Sequence, residues 1–187
     1  PSGEVRTFPT VEMVVSDVSN MLDYLLSPAR LSPSIERQCI EVAESLATAL
    51  DLIGLLAVEL FVSKDGQVLI NEIAPRPHNS GHHSIEANAT SQFEQHVRAV
   101  CDMPLGDTAL KSPAVMVNLV GAEGYQGPVR YEGFNRVLAM PDVYIHLYGK
   151  AETRPFRKMG HVTIVRSDVN EAIDIAQQIK EEMQVIA

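Results

Sequence analysis

Glu59 and Glu72 sit in two apolar, strand-like runs, LLAVELFV and QVLINEIA, separated by Lys64-Asp65-Gly66. Asp-Gly between such runs is a strong hairpin signal. With Asp65 and Gly66 as a two-residue loop, Glu59 lies directly opposite Glu72 on one face. Like charges in a cross-strand pair repel. A fold keeps such a pair when a cation sits between the carboxylates or one of them holds a proton. Hard divalent ions such as Mg²⁺ take oxygen ligands of this kind, usually together with substrate phosphates. The bland reading is two exposed strand residues paired with surface lysines. The apolar neighbours Val58, Leu60, Ile70 and Ile73 argue against a fully solvated hairpin.

Two polar clusters extend this chemistry. Arg76, His78, Asn79, His82 and His83 follow the second run within RPHNSGHH. They could form a polar surface loop, or His78 and His82 could begin a zinc site. A zinc site usually brings three or four ligands with recognisable spacing, and neither HExxH nor a nearby cysteine occurs. The planar fork of Arg76 matches carboxylate or bicarbonate in a bidentate fashion, so anion binding is favoured. Lys150, Arg154, Arg157 and Lys158 form the other cluster, in YGKAETRPFRKMGH. A charge run is often only a solvated face. Here Gly149, Pro155 and Gly160 shape it and apolar runs flank it, and Arg and Lys are the usual phosphate donors. No GxxxxGK[ST], GxGxxG or GxSxG motif occurs.

These groups must be positioned by ordinary globular elements. The chain has 187 residues, 45% hydrophobic and 21% charged, with a formal net charge of −9. That balance argues against general nucleic-acid binding. No apolar run is long enough for a membrane span, and no signal peptide opens the chain. Cys39 and Cys101 read as isolated reduced cysteines of a cytosolic protein. The start, PSGEVRTFPTVEMVV, falls in mid-pattern and suggests a segment of a longer protein.

Glu4–Phe8 and Val11–Val15 read as strands, and Leu25–Leu31 as irregular. Ser32-Pro33 marks a helix start. Apolar residues from Ile35 to Ile53 at helical spacing then give a helix of about 19 residues, stopped by Gly54. Strands are expected over 55–62 and 67–74, and helices over 84–89 and 91–101. Pro104-Leu105-Gly106 and Lys111-Ser112-Pro113 mark a linker. Beyond it, Ala114–Val120 is expected to be a strand buried on both faces. Strands over 143–148 and 161–166, a short helix over 134–140 and an amphipathic closing helix over 169–183, capped by Asp168, complete the reading.

The segments VELFV, LINEIAPRPHNSGH, SQFEQHVRAV, PLG, VMVNLVG and HLYGKAETRPFRKMGH closely resemble the C-terminal half of the 5-(carboxyamino)imidazole ribonucleotide synthetase family. These are ATP-grasp ligases of purine biosynthesis, also called the ATPase subunit of phosphoribosylaminoimidazole carboxylase. The resemblance covers nearly the whole chain. It implies an α/β (α+β) fold, with residues 1–111 as the C-terminal part of an ATP-grasp domain. Residues 112–187 would form a small β-rich domain with one closing helix. It implies Mg²⁺ and ATP held at Glu59 and Glu72, and bicarbonate or carboxyphosphate at Arg76, His78 and Asn79. The ribonucleotide 5′-phosphate would lie at Lys150 and Arg157, with Arg154, Lys158 and His161 nearby. Aminoimidazole ribonucleotide, bicarbonate and ATP are the implied partners. A cytoplasmic homodimer is the implied full-length state, without nucleic acid or membrane. Many ATP-grasp enzymes carry Asn two residues beyond the second metal Glu; here Ala74 stands there. The domain and lid that supply most ATP contacts would precede residue 1, so the chain alone is expected to be inactive. Two rivals remain: another ATP-grasp carboxylate-amine ligase, or a non-catalytic binding module of the same fold.

Overall fold

The computed structural model describes residues 3–15 and 22–187 of a mixed α/β chain. In chain order its elements are β1 (Glu12–Val15), β2 (Leu22–Ser27), α1 (Pro33–Ala49), β3 (Ala57–Val62), β4 (Val68–Ala74), α2 (Ser84–Ala87), α3 (Gln92–Val100) and β5 (Ala114–Val120). They continue with β6 (Gly127–Pro128), β7 (Arg130–Glu132), α4 (Phe134–Leu138), β8 (Val143–Leu147), β9 (Glu152–Thr153), β10 (Lys158–Val165), α5 (Val169–Glu182) and β11 (Gln184–Ile186). Two compact units emerge, Pro1–Glu12 with Ser27–Lys111, and Met13–Leu26 with Ser112–Ala187. The expected first domain was continuous to residue 111. Instead, residues 13–26 belong with the second unit, because β1 and β2 extend the sheet that contains β5.

In the first unit, Ser32 caps α1 by accepting from the Ile35 amide, with Pro33 opening the helix. The helix stops at Ala49, short of the expected Ile53. Asp51 turns left-handed at φ 48°. The Asp51 amide donates to Thr48 O at 3.1 Å and the Leu52 amide to Ala47 O at 3.2 Å. This is a Schellman stop with Asp where Gly is usual. Ile53 is therefore outside the helix and 56% exposed. The β3–β4 hairpin is a two-stranded sheet. Ile70 and Ile73, expected to shield it, are 54% and 39% exposed, since no further strand covers them among the described residues. Glu4–Phe8, expected as a strand, forms no regular element.

The second unit is built on a five-stranded sheet in the order β1-β2-β5-β10-β8. β2 occupies part of the segment expected to be irregular, and Leu25 and Leu26 are fully buried in it. β5 is central and almost wholly buried, as its apolar run requires. It pairs antiparallel with β10, which pairs antiparallel with β8. Val115, Val117, Val162 and Ile164 pack with Ala172, Ala176 and Ile179 of α5 in one core cluster. Asp168 caps α5 by accepting from the Asn170 amide. The helix does not close the chain. β11 follows it and pairs antiparallel with β7, a strand too short for its pattern to stand out in the sequence.

That return depends on one glycine. Gly133 lies at φ 75°, and a Cβ there would stand 1.9 Å from the Glu182 carbonyl oxygen at the end of α5. Backbone cannot yield as a flexible side chain can. Gly133→Ala is expected to lower the stability of the second unit by about 3 kcal/mol or more, in the tail of single-substitution effects. The urea midpoint, read by a probe in that unit, checks this. A loss below about 1 kcal/mol would show that the strand return has slack.

Candidate active site

The hairpin places the two carboxylates as the sequence required, by a different route. The connection is not a two-residue loop. The Ser63 amide donates to Gln67 O and the Gly66 amide to Ser63 O, both at 2.9 Å, with Gly66 at φ 82°. That is a three-residue loop of the type I plus bulge kind. Beyond it Val62 pairs with Val68, Phe61 with Leu69 and Leu60 with Ile70, one residue out of the expected register. A bulge at Asn71 then absorbs the offset, and Glu59 pairs with Glu72. Cross-strand partners share a face.

Around this pair the contacts are unequal. The Asn71 amide donates to Glu59 Oε2 at 3.4 Å. The other oxygen, Glu59 Oε1, lies 3.7 Å from His78 Nε2. Ser80 fixes which nitrogen of His78 carries the proton. The Ser80 amide donates to His78 Nδ1 at 3.4 Å, and Ser80 Oγ lies 2.9 Å from the same atom. Nδ1 is thus an acceptor, and the ring proton is on Nε2, facing Glu59. Glu72 is exposed and has no hydrogen-bond or ion-pair partner among the described residues. Two facing carboxylates, one of them unpaired, form a donor set suited to a hard divalent cation.

The loop after β4 carries the other candidates. Arg76 is exposed, and its guanidinium donates to Pro77 O at 3.1 Å. His78 caps a one-turn 3₁₀ helix, Asn79–Gly81, that begins at Asn79. Beneath it lies Gln92, only 3% exposed, bonded to both main-chain groups of His78. No group of three or more His, Cys, Asp or Glu side chains gathers to hold a metal among the described residues.

In the second unit, Lys150, Arg154, Arg157 and Lys158 lie on or beside the loop between β8 and β10. Lys150 Nζ sits 5.5 Å from the Tyr148 ring centroid and donates to Lys158 O. Arg157 donates to Glu152 O at 2.9 Å, and Arg154 is exposed. His161, 3% exposed, stacks on His146 at 4.6 Å and lies 3.1 Å through Nδ1 from the Tyr148 hydroxyl. Gly121 folds the basic loop: its amide donates to Arg157 O, and its carbonyl accepts from the Phe156 amide, both at 2.9 Å. A Cβ on Gly121 would meet Arg154 O at 2.1 Å. Asn71, Gln92, Gly121 and Tyr148 were not singled out from the sequence. Only Gly121, at the end of an apolar strand, carried a recognisable signal.

The ATP-grasp domain family matches residues 1–93, and the phosphoribosylaminoimidazole carboxylase C-terminal domain family matches residues 114–175. The N5-carboxyaminoimidazole ribonucleotide synthase of Bacillus subtilis is 44% identical over 172 residues, covering 92% of this chain and 43% of that protein. This chain belongs to the N5-carboxyaminoimidazole ribonucleotide synthetase family of ATP-grasp proteins. The crystal structure of the Thermotoga maritima synthetase superposes with a TM-score of 0.88 at 46% identity, covering 96% of this chain and 48% of that one. The Aspergillus clavatus synthase, solved with ADP and 5-aminoimidazole ribonucleotide, superposes with a TM-score of 0.78 at 34% identity over 91% of this chain and 47% of that one. The chain spans less than half the length of these family members.

One histidine of the loop makes a prediction independent of catalysis. Burial pushes His83 from 6.5 to about 4, the Ser80 carbonyl opposing and His82 adding to the shift. Below pH about 6.5 the unfolded chain binds a proton that the folded chain refuses. The stabilisation is complete above that pH and is lost as pH falls toward about 4. The first unit should be about 2 kcal/mol less stable near pH 5 than near pH 7.5. Urea unfolding at both pH values measures this, and His83→Gln should flatten the difference. A slope identical in the variant would assign it elsewhere.

Proposed function

We propose that this chain supplies the metal, bicarbonate and ribonucleotide sites of an ATP-dependent ligase that carboxylates aminoimidazole ribonucleotide. The observation that carries the reading is the Glu59–Glu72 pair, held in register through two offsetting irregularities. A structural module has no use for two opposed carboxylates. Bicarbonate oxygen attacks the γ-phosphorus of ATP, giving carboxyphosphate and ADP. The exocyclic amine then attacks the carboxyl carbon, forming a C–N bond and losing a proton as phosphate departs.

Glu59 and Glu72 would hold Mg²⁺, whose charge offsets that of the ATP phosphates. Arg76 offers a planar fork to bicarbonate, and His78 and Asn79 add polar groups beside it. The His78 Nε2 proton faces Glu59, so this loop contacts the carboxylate pair directly. Lys150 and Arg157 hold the ribonucleotide 5′-phosphate, with Arg154 and Lys158 adding positive charge. The Tyr148 ring and the Glu152 carbonyl hold Lys150 and Arg157 in place before any ligand arrives.

Two tests follow in a full-length ligase containing this chain. Glu59→Gln or Glu72→Gln should lower kcat on the order of 100-fold, because positioning and charge stabilisation dominate phosphoryl transfer. Folding should survive, since removing one charge relieves repulsion. Near-normal bicarbonate-dependent ATP cleavage at saturating Mg²⁺ would reject the assignment. Separately, Lys150→Ala or Arg157→Ala should raise the KM for the ribonucleotide by roughly 10- to 150-fold, the value of one charge-assisted contact. The KM for ATP should stay nearly constant. Equal weakening of both substrates would point to misfolding, and no change would return the cluster to a solvated face.

A further inference from the structure

Gln92 opens α3 and is buried to 3% exposure, an unusual place for a primary amide. Every polar group it owns faces a partner. Its Oε1 accepts from the His78 amide at 2.9 Å. Its Nε2 lies 2.8 Å from His78 O and 2.8 Å from His82 Nδ1. Its own amide, an orphan at the helix start, donates to Ser84 Oγ at 2.9 Å, and Ser84 in turn donates to Gly81 O at 2.5 Å. Gly81 admits the approach, because a Cβ there would stand 2.5 Å from Gln92 Oε1.

The two backbone partners settle how the amide is turned. A main-chain N–H can only donate and a main-chain carbonyl can only accept. Exchanging O and N of Gln92 would set donor against donor and acceptor against acceptor. Nε2 is therefore the atom facing His82, and it brings a proton. His82 Nδ1 must accept it, which leaves the ring proton of His82 on Nε2. Stacking of His82 on Phe93, with centroids 5.6 Å apart and planes at 19°, fixes the ring in that orientation.

We infer that Gln92 is a positioning residue for the anion loop, one amide that clamps His78 at both main-chain groups and locks His82 as the neutral Nε2–H tautomer. His82 is then a neutral ring with its proton on Nε2, within the loop proposed to bind bicarbonate. The tautomer follows from the hydrogen bonds alone; its use in carboxylation rests on the ligase reading.

The test is nuclear magnetic resonance on the chain carrying ¹⁵N in its histidine rings and glutamine amides. His82 is assigned by its disappearance in His82→Asn. The expected result is an unprotonated His82 Nδ1 with a scalar coupling across the hydrogen bond to Gln92 Nε2. A protonated Nδ1, or no coupling, overturns the inference without any variant having to fold. In Gln92→Glu the new carboxylate can only accept, so the His82 proton should appear on Nδ1; an unchanged pattern also overturns it. In the full-length ligase the same variant should raise the KM for bicarbonate about tenfold, the loss of roughly one hydrogen bond, with the KM for ATP unchanged. A moved proton with an unchanged bicarbonate KM would overturn the positioning role. Absence of carboxylation in the unmodified ligase would instead reject the reaction and leave the tautomer result standing.

Discussion

Two carboxylates opposed across a hairpin are a standing electrostatic cost, and the first unit is arranged around keeping them there. Side chains of a strand alternate with period two, so a slip of one residue would send Glu59 and Glu72 to opposite faces. The hairpin makes one such slip at the Lys64-Asp65-Gly66 loop and reverses it at Asn71. A bulge is a defined local twist that re-aims side chains. Here it also turns the Asn71 amide onto Glu59. The irregularity therefore sits beside the candidate metal pair. A straight hairpin with the same loop would leave the pair one residue out of register.

The loops beside the candidate sites are held by a shared device, a glycine that lets backbone come close and a polar group that seals the approach. Gly81 makes room for the Gln92 amide, and Gly106 sits against Thr90 with its main chain bonded both ways by Gln95. In the second unit Gly121 and Gly160 admit the Arg154 and His146 carbonyls. Such contacts bind loop backbone to rigid elements with paired hydrogen bonds. Leaving one buried partner unsatisfied would cost about 1–3 kcal/mol. Binding groups can then be exposed at the surface while the chain beneath them is fixed.

What the sequence could reveal follows the range of each interaction. Ser32-Pro33 and Asp168 were legible because a cap acts within one turn. The Glu59–Glu72 pairing was legible because its apolar alternation is local, although the route to it was not. The Asp51 stop was hidden, since Asp in a left-handed turn gives no signal as strong as Gly. β2 was hidden because its segment runs into Pro28 and reads as a break, while its burial depends on β5, far along the chain. Gln92 was hidden most completely. A Gln after a capping Ser looks like a solvated first-turn residue. Only the fold shows that it lies beneath the His78 loop.

The three histidines of HNSGHH show why residue type alone misreads such a loop. His78 accepts at Nδ1 from Ser80 and turns Nε2 to Glu59. His82 accepts at Nδ1 from Gln92. His83 takes the opposite tautomer: its Nδ1 lies 3.1 Å from the Ser80 carbonyl and must donate to it, and burial keeps the ring neutral to about 4. Every Nδ1 here is committed, and among the three rings only His83, with its proton on Nδ1, keeps a lone pair on a buried, unpartnered Nε2. His78 and His82 carry their ring protons on Nε2, and the carboxylates carry lone pairs. On the proposed function, cation and anion would fall to different residues of one short segment. That division suits the proposed reaction, in which a small oxyanion meets a metal-bound polyphosphate.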